Sequence, residues 1–328
     1  MPELDLDVVV TRGATIESHH RVHAAVVGPD DVLVATARDP RLVTMWRSCA
    51  KFFQVLPFLT CGGFDTLGWG EEELALACAS HGGEPEHVAV AKRMLESIGL
   101  EEGDLACGPH EPLAARGVKI LRESGRPYTR LHNNCSGKHA AMLATCAVMG
   151  WPLDGYLELE HPCQQAVSAA LQEMLGVDLA AAPRGIDGCG LTTYGAPLAS
   201  VARGFASGSH DPAFRRAQDA MAAHPFLVAG TGRFDTALLE VAGTRLTAKI
   251  GGAGVWAAVA RPGGPGIAIK LESGGGDVIP VVALAVLQQL GLLVPDLPDR
   301  LRPYARLTVR NWAGRDVGEI RADPIVLS

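Results

Sequence analysis

Arg47-Ser48-Cys49-Ala50-Lys51, continuing as Phe52-Phe53-Gln54-Val55-Leu56-Pro57, is where the chain changes character. Before it lie short apolar runs at 8–10, 22–27 and 32–35, broken at Arg12-Gly13 and Gly28-Pro29-Asp30. Such runs between turn residues predict three antiparallel strands. After it, helical spacing dominates as far as about residue 230, over 71–79, 85–98, 138–149, 162–175 and 212–223. Proline opens three of these segments and glycine follows three of them, as helix ends prefer. Strand patterns return at 245–250, 254–260 and 266–271, and an apolar helix follows over 280–290. The expected fold is therefore α+β: an antiparallel sheet built from both termini, about 1–43 and 240–328, with a helical lobe over about 44–239. No linker or repeat interrupts the chain, which reads as a single unit over 1–328.

Composition narrows the function classes. With 48% hydrophobic and 20% charged residues over 328 positions, the chain has the balance of a soluble globular protein with a large core. A formal charge of −7 argues against non-specific nucleic-acid binding, which needs many Lys and Arg to neutralise phosphates. The acidic N-terminus is unlike a signal peptide, and no apolar run reaches the ~18 residues of a membrane span. A cytoplasmic location is the expectation. The eight cysteines show no paired framework, so free thiols or metal ligands are expected before disulfides. Cys146, inside an apolar helical pattern, reads as core.

Two serines stand beside lysines or special backbone. If 47–57 opens a helix, Ser48 and Lys51 share a face one turn apart. A serine hydroxyl needs an adjacent base, and a lysine serves once burial lowers its pKa. The helix start adds N–H groups that can hold an oxyanion, and Phe52 and Phe53 would keep the site dry. Ser80 follows the helical run at 71–78, in Ala79-Ser80-His81-Gly82-Gly83, where small residues let backbone approach a ligand. Lys249 and Lys270 lie on predicted late strands. A strand lysine beside a Ser-x-x-Lys helix is the arrangement of the serine β-lactamase and penicillin-binding architecture. The polar stretch His132-Asn133-Asn134-Cys135-Ser136-Gly137-Lys138-His139 and the loop Gly185-Ile186-Asp187-Gly188-Cys189-Gly190 each carry a thiol. Cys135 and Cys189 would bind zinc if the fold joins the two loops. Asp187 suits a substrate ammonium group and Arg47 a carboxylate.

Taken together, these motifs resemble the class 3 L-asparaginases, the thermolabile, Rhizobium-etli-type family also labelled asparaginase II. The likeness runs from Glu17-Ser18-His19 through the serine, cysteine and Asp187 motifs to Gly230-Thr231-Gly232-Arg233 and Asn311-Trp312-Ala313-Gly314-Arg315. It implies a serine-β-lactamase-like fold close to that of glutaminases, and a homodimer. It implies hydrolysis of L-asparagine to L-aspartate and ammonia through a serine acyl-enzyme with lysine acid/base chemistry. Catalysis would rest on Ser48 with Lys51, and on Ser80 with a later lysine, Lys270 or its rival Lys249. It also implies a zinc ion on Cys135, Lys138 and Cys189 that tunes substrate binding, with Arg47, Asp187 and His139 as substrate-binding residues. Phe52, Ala253 and Glu272-Ser273-Gly274 depart from the family pattern, where a proline, a glutamate and an aspartate are usual. Two other readings stay open. One is a glutaminase or related serine amidohydrolase; the other is a zinc- or amino-acid-binding protein without turnover.

Overall fold

In the computed structural model, residues 3–4 and 6–323 are described. Met1, Pro2 and Asp5 of the acidic N-terminus, and residues 324–328 of the expected sheet range, lie outside them. The chain divides into two compact units. One comprises Met1–Cys49, Ala196–Ser207 and Ala248–Ser328; the other comprises Ala50–Gly195 and Gly208–Thr247. Residues 196–207 cluster with the strands near both termini, not with the helices of 50–195.

Among the described residues the sheet has eight strands: β1 (Asp7–Arg12), β2 (Thr15–Val27), β3 (Leu33–Ala37), β4 (Leu246–Ile250), β5 (Val255–Ala260), β6 (Gly266–Leu271), β7 (Arg306–Arg310) and β8 (Asp316–Asp323). Their order is β7-β8-β1-β2-β6-β5-β4, with β3 also on β2. The 13-residue β2 serves two sets of neighbours. Its first half pairs with β1, in register Asp7↔Arg21 to Val10↔Ser18. Its second half, Val22 to Val27, is buried and pairs antiparallel with β6 on one side and β3 on the other. The β-branched runs read from the sequence are these buried halves, where such side chains fit the pleat. At the first residue of β6, an added Cβ on Gly266 would sit 1.9 Å from the Ala202 carbonyl oxygen, so only glycine lets the Leu198–Gly208 helix lie this close. The apolar Ile279–Gln289 helix packs on β1, β5 and β8.

The helical unit is organised around the Ser136–Met149 helix, whose first eleven residues are buried. It packs against Glu71–Ala77, Pro85–Glu96, Leu56–Thr60 and Pro162–Leu175. Near its start, an added Cβ on Gly137 would lie 2.4 Å from the Leu76 carbonyl oxygen. Glycine is required there, and the resulting approach brings the polar start of this helix to the end of Glu71–Ala77. The Arg184–Ile186 and Thr192–Pro197 strands form an antiparallel pair flanking the Cys189 loop. No helix among the described residues is long and apolar enough to cross a membrane.

Candidate active site

The sequence places Lys51 one turn after Ser48, and the chain there is helical: a 3-10 turn Arg47–Ala50 leads into Lys51–Gln54. Within the helical unit the Lys51 side chain is 1% exposed. Its Nζ donates to the Ala79 carbonyl, and lies 3.0 Å from Ser80 Oγ and 3.2 Å from the Asn134 carbonyl oxygen. Ser80 is 6% exposed, and its N–H is held 3.0 Å from the Val228 carbonyl oxygen. Phe52 and Phe53 are fully buried against Phe214, with ring centroids 5.4 and 5.2 Å away. Lys51 therefore engages the Ser80 hydroxyl, which the sequence reading had matched with a later lysine.

The two thiol loops do meet. Asn133 Oδ1 accepts from the Cys135 N–H at 2.9 Å and turns the chain into the helix. Lys138 Nζ lies 3.1 Å from Cys189 Sγ. A hydrogen bond from Cys189 carries the Cys135 thiol well below the ordinary range; burial opposes this, and the charges of Lys51 and Lys138 reinforce it. The same bond pushes the Cys189 thiol up. Burial lowers the Lys138 ammonium, but attraction to Cys135 and Cys189 outweighs it and the net shift is upward. The sequence reading needed a neutral Lys138. Here the two thiols favour its ammonium form, and an ion on the two sulfurs would have to displace that proton. Two soft sulfurs and one amine fit zinc better than a hard oxygen-seeking cation. Among the described residues no three His, Cys, Asp or Glu side chains converge, so the candidate set is the two thiols with Lys138. Asp187 is half-buried on the adjoining loop, where its charge also acts on Lys138.

Two buried histidines brace these loops. His81 Nε2 lies 2.9 Å from Ser136 Oγ, and Ser136 Oγ lies 3.1 Å from the Leu131 carbonyl oxygen. The Ser136 hydrogen goes to that carbonyl, so His81 donates from Nε2 while its Nδ1 accepts from the Gly83 N–H at 3.1 Å. Burial holds His81 well below its ordinary range, and His87 and Lys51 push the same way. His139 is fully buried next to Lys138, with Nδ1 2.7 Å from the Tyr156 hydroxyl. Glu84, also fully buried, accepts from the Thr231 N–H and hydroxyl, both at 2.7 Å, and from Arg116 at 2.9 Å. That carboxylate ties the segment after Ser80 to the Gly230-Thr231-Gly232 turn.

The family described as L-asparaginase II matches residues 8–322, nearly the whole chain. This chain is a member of the L-asparaginase II family. No curated protein matches it. Among solved structures, a β-lactamase from Mycobacterium bovis is 15% identical, with 82% of this chain and 94% of that one covered and a TM-score of 0.41. The protein Mglu is also 15% identical, with 85% and 69% covered and a TM-score of 0.37.

The remaining residues expected in this L-asparaginase II family member lie in the sheet unit. Ser48 is half-buried, and its hydroxyl makes no hydrogen bond among the described residues. Arg47 has φ 49°, a strained value for a non-glycine residue, and an added Cβ on Gly252 would meet its Cζ at 3.1 Å. Lys249 is completely buried, with Nζ 2.9 Å from the Ile250 carbonyl oxygen. Lys270 is partly exposed, donates to the Ala253 carbonyl, and is lowered by burial. By the criterion of a dry amine, Lys249 is better protected than Lys270, the choice made from sequence. Ala253 has φ 55°, so its carbonyl is presented to Lys270 from a left-handed turn. Sequence reading missed Tyr156, Ser136 and the Asn134 carbonyl. Ser136 stands inside a quoted motif; nothing local marks Tyr156.

Proposed function

We propose that this chain hydrolyses the side-chain amide of L-asparagine to L-aspartate and ammonia through a serine acyl-enzyme, with Lys51 as the base. The observation that carries this reading is the 3.0 Å contact between Lys51 Nζ and Ser80 Oγ, both on buried side chains. A neutral lysine has two N–H bonds and one lone pair. Lys51 donates to the Ala79 and Asn134 carbonyls, and loss of one proton from the ammonium would give it a lone pair for the Ser80 hydroxyl.

In the first half-reaction Lys51 takes the Ser80 proton as Oγ bonds to the amide carbon. The carbon–nitrogen bond then breaks, and the same proton leaves with the nitrogen as ammonia. In the second, Lys51 takes a proton from water, the water oxygen attacks the ester, and the proton returns to Ser80 as aspartate departs. Asp187 would hold the substrate ammonium group and His139 would donate to a substrate oxygen. Cys135, Cys189 and Lys138 would hold zinc, whose charge would fix this loop and the substrate's orientation without supplying the nucleophile.

A second reading has Ser48 as the attacking oxygen. It is favoured by one observation: Ser48 is half-buried and thus easier for substrate to reach than Ser80. Ammonia release from asparagine and from glutamine by wild type, Ser48→Ala and Ser80→Ala, each with and without chelator, tests the proposal. Mass mapping of the acylated peptide decides between the serines. Preference for glutamine would reassign the substrate, since one methylene is worth only about 1–3 kcal/mol in a pocket. No ammonia from either amide would leave a binding protein.

A further inference from the structure

The geometry points to Tyr156 as a positioning residue: its hydroxyl fixes the tautomer of His139 so that the imidazole presents an Nε2–H donor to an oxygen of the bound amino-acid substrate. The inference rests on the reading of this pocket as an amide-hydrolysing site. The Ala106 N–H donates to the Tyr156 oxygen at 2.9 Å, so that oxygen is already an acceptor. The phenolic hydrogen has one acceptor among the described residues, His139 Nδ1 at 2.7 Å. Nδ1 is therefore the ring's acceptor, and its hydrogen sits on Nε2.

The ring is fully buried, yet its Nε2 has no partner among the described residues. A buried donor left unpaired is costly, and it persists where a ligand completes it. The donor's surroundings agree with a ligand role. His139 sits in the first turn of the Ser136–Met149 helix, its N–H bonded to the Cys135 carbonyl at 3.0 Å. Lys138 and Lys51 are the charged side chains that act on its ring. The Tyr156 and His139 rings meet edge to face at 5.7 Å and 80°, so the phenol is a rigid prop, and both side chains are buried. Tyr156 comes seventeen positions after His139 and belongs to neither thiol loop, which is why no motif reveals it.

The test uses the full chain labelled with 15N-histidine, with the His139 signals assigned by their loss in His139→Gln. In the wild type, Nδ1 should be the unprotonated nitrogen and Nε2 the protonated one, and added L-aspartate should shift Nε2. Tyr156→Phe, which keeps the ring and its packing, should mix the tautomers. It should also lower kcat/KM for asparagine about tenfold, mostly through KM, the size expected for one hydrogen bond to substrate. His139→Gln retains an N–H donor without a tautomer, so adding Tyr156→Phe to it should cause little further loss. A wild-type Nδ1–H tautomer, or Tyr156→Phe with wild-type nitrogen shifts and rates, would overturn the inference. If the wild type hydrolyses no amide, a shift of Nε2 by aspartate still supports the donor role while the proposed reaction fails. No shift then removes both.

Discussion

The two ends of the Ser136–Met149 helix carry the same ingredients and do different things. Each end sets a cysteine against a thiol from elsewhere in the chain: Cys135 with Cys189 at the start, Cys146 with Cys163 further along. All four are free and buried. At the far end the neighbours are core groups, and the Cys163 thiol lies 3.9 Å from the Met142 carbonyl oxygen. A hydrogen bond within that pair lowers Cys146 and raises Cys163, with no cation involved. At the near end the Lys51 and Lys138 charges join in and carry Cys135 well below the ordinary thiol range. Two thiols alone are packing. Two thiols beside two amines form a charged cluster, and one of those amines also holds the Ser80 hydroxyl.

The contrast can be broken most directly at Lys51. Lys51→Met should keep the far-UV circular dichroism spectrum and cut ammonia release by about 10³-fold or more, in the range of a lost general base. Activity within tenfold of wild type would mean that the near end is packing too. Next in size is metal content. Dialysed wild-type protein loaded with zinc should retain about one ion per chain by elemental analysis, as expected for a closed thiolate site. Cys135→Ser should retain none, and Cys146→Ser should match the wild type.

A smaller effect sharpens the comparison through pH. Burial holds His81 and His139 well below their ordinary value of 6.5, with Lys51 acting on both and Lys138 on His139. The folded chain therefore binds fewer protons than the unfolded one once pH drops below 6.5. Stability should be full above that pH and should decline as pH falls from 6.5 toward the depressed folded values. Urea midpoints between pH 7.5 and 5.5 read this, and a flat profile would show that the near-end histidines accept protons in place. Smallest is Cys146→Ala, which should cost about 1 kcal/mol of stability by thermal melting and leave the rate within about twofold.

Much of the fold was legible because its strands and helices announce themselves by composition. The runs at 8–10 and 22–27 are the buried parts of β1 and β2, and the predicted late strands match β4, β5 and β6 to within a residue or two. The predicted helix over 162–175 matches its observed bounds because Pro162 and Gly176 punctuate it. The β7–β8 hairpin escaped notice, since Arg306, Arg310, Asp316 and Arg321 interleave charge with apolar residues on a half-exposed pair. Leu198–Gly208 was also missed: Pro197 stands at its start, but no polar cap accompanies it and the strand before it runs directly into the helix. In the site, the spacing from Ser48 to Lys51 was readable. The bond from Lys51 to Ser80 was not, because the two residues lie 29 positions apart and no local spacing says which loop will face the lysine.

The register Asp7↔Asp323 of β1 with β8 has a consequence for synthesis. While the chain is still on the ribosome, one edge of β1 must wait, unpaired, for some three hundred residues to be made. The nascent protein thus exposes a strand edge of Val8, Val9 and Val10 until its partner emerges, and any delay in translating Asp316–Asp323 prolongs the interval in which another chain can take that place.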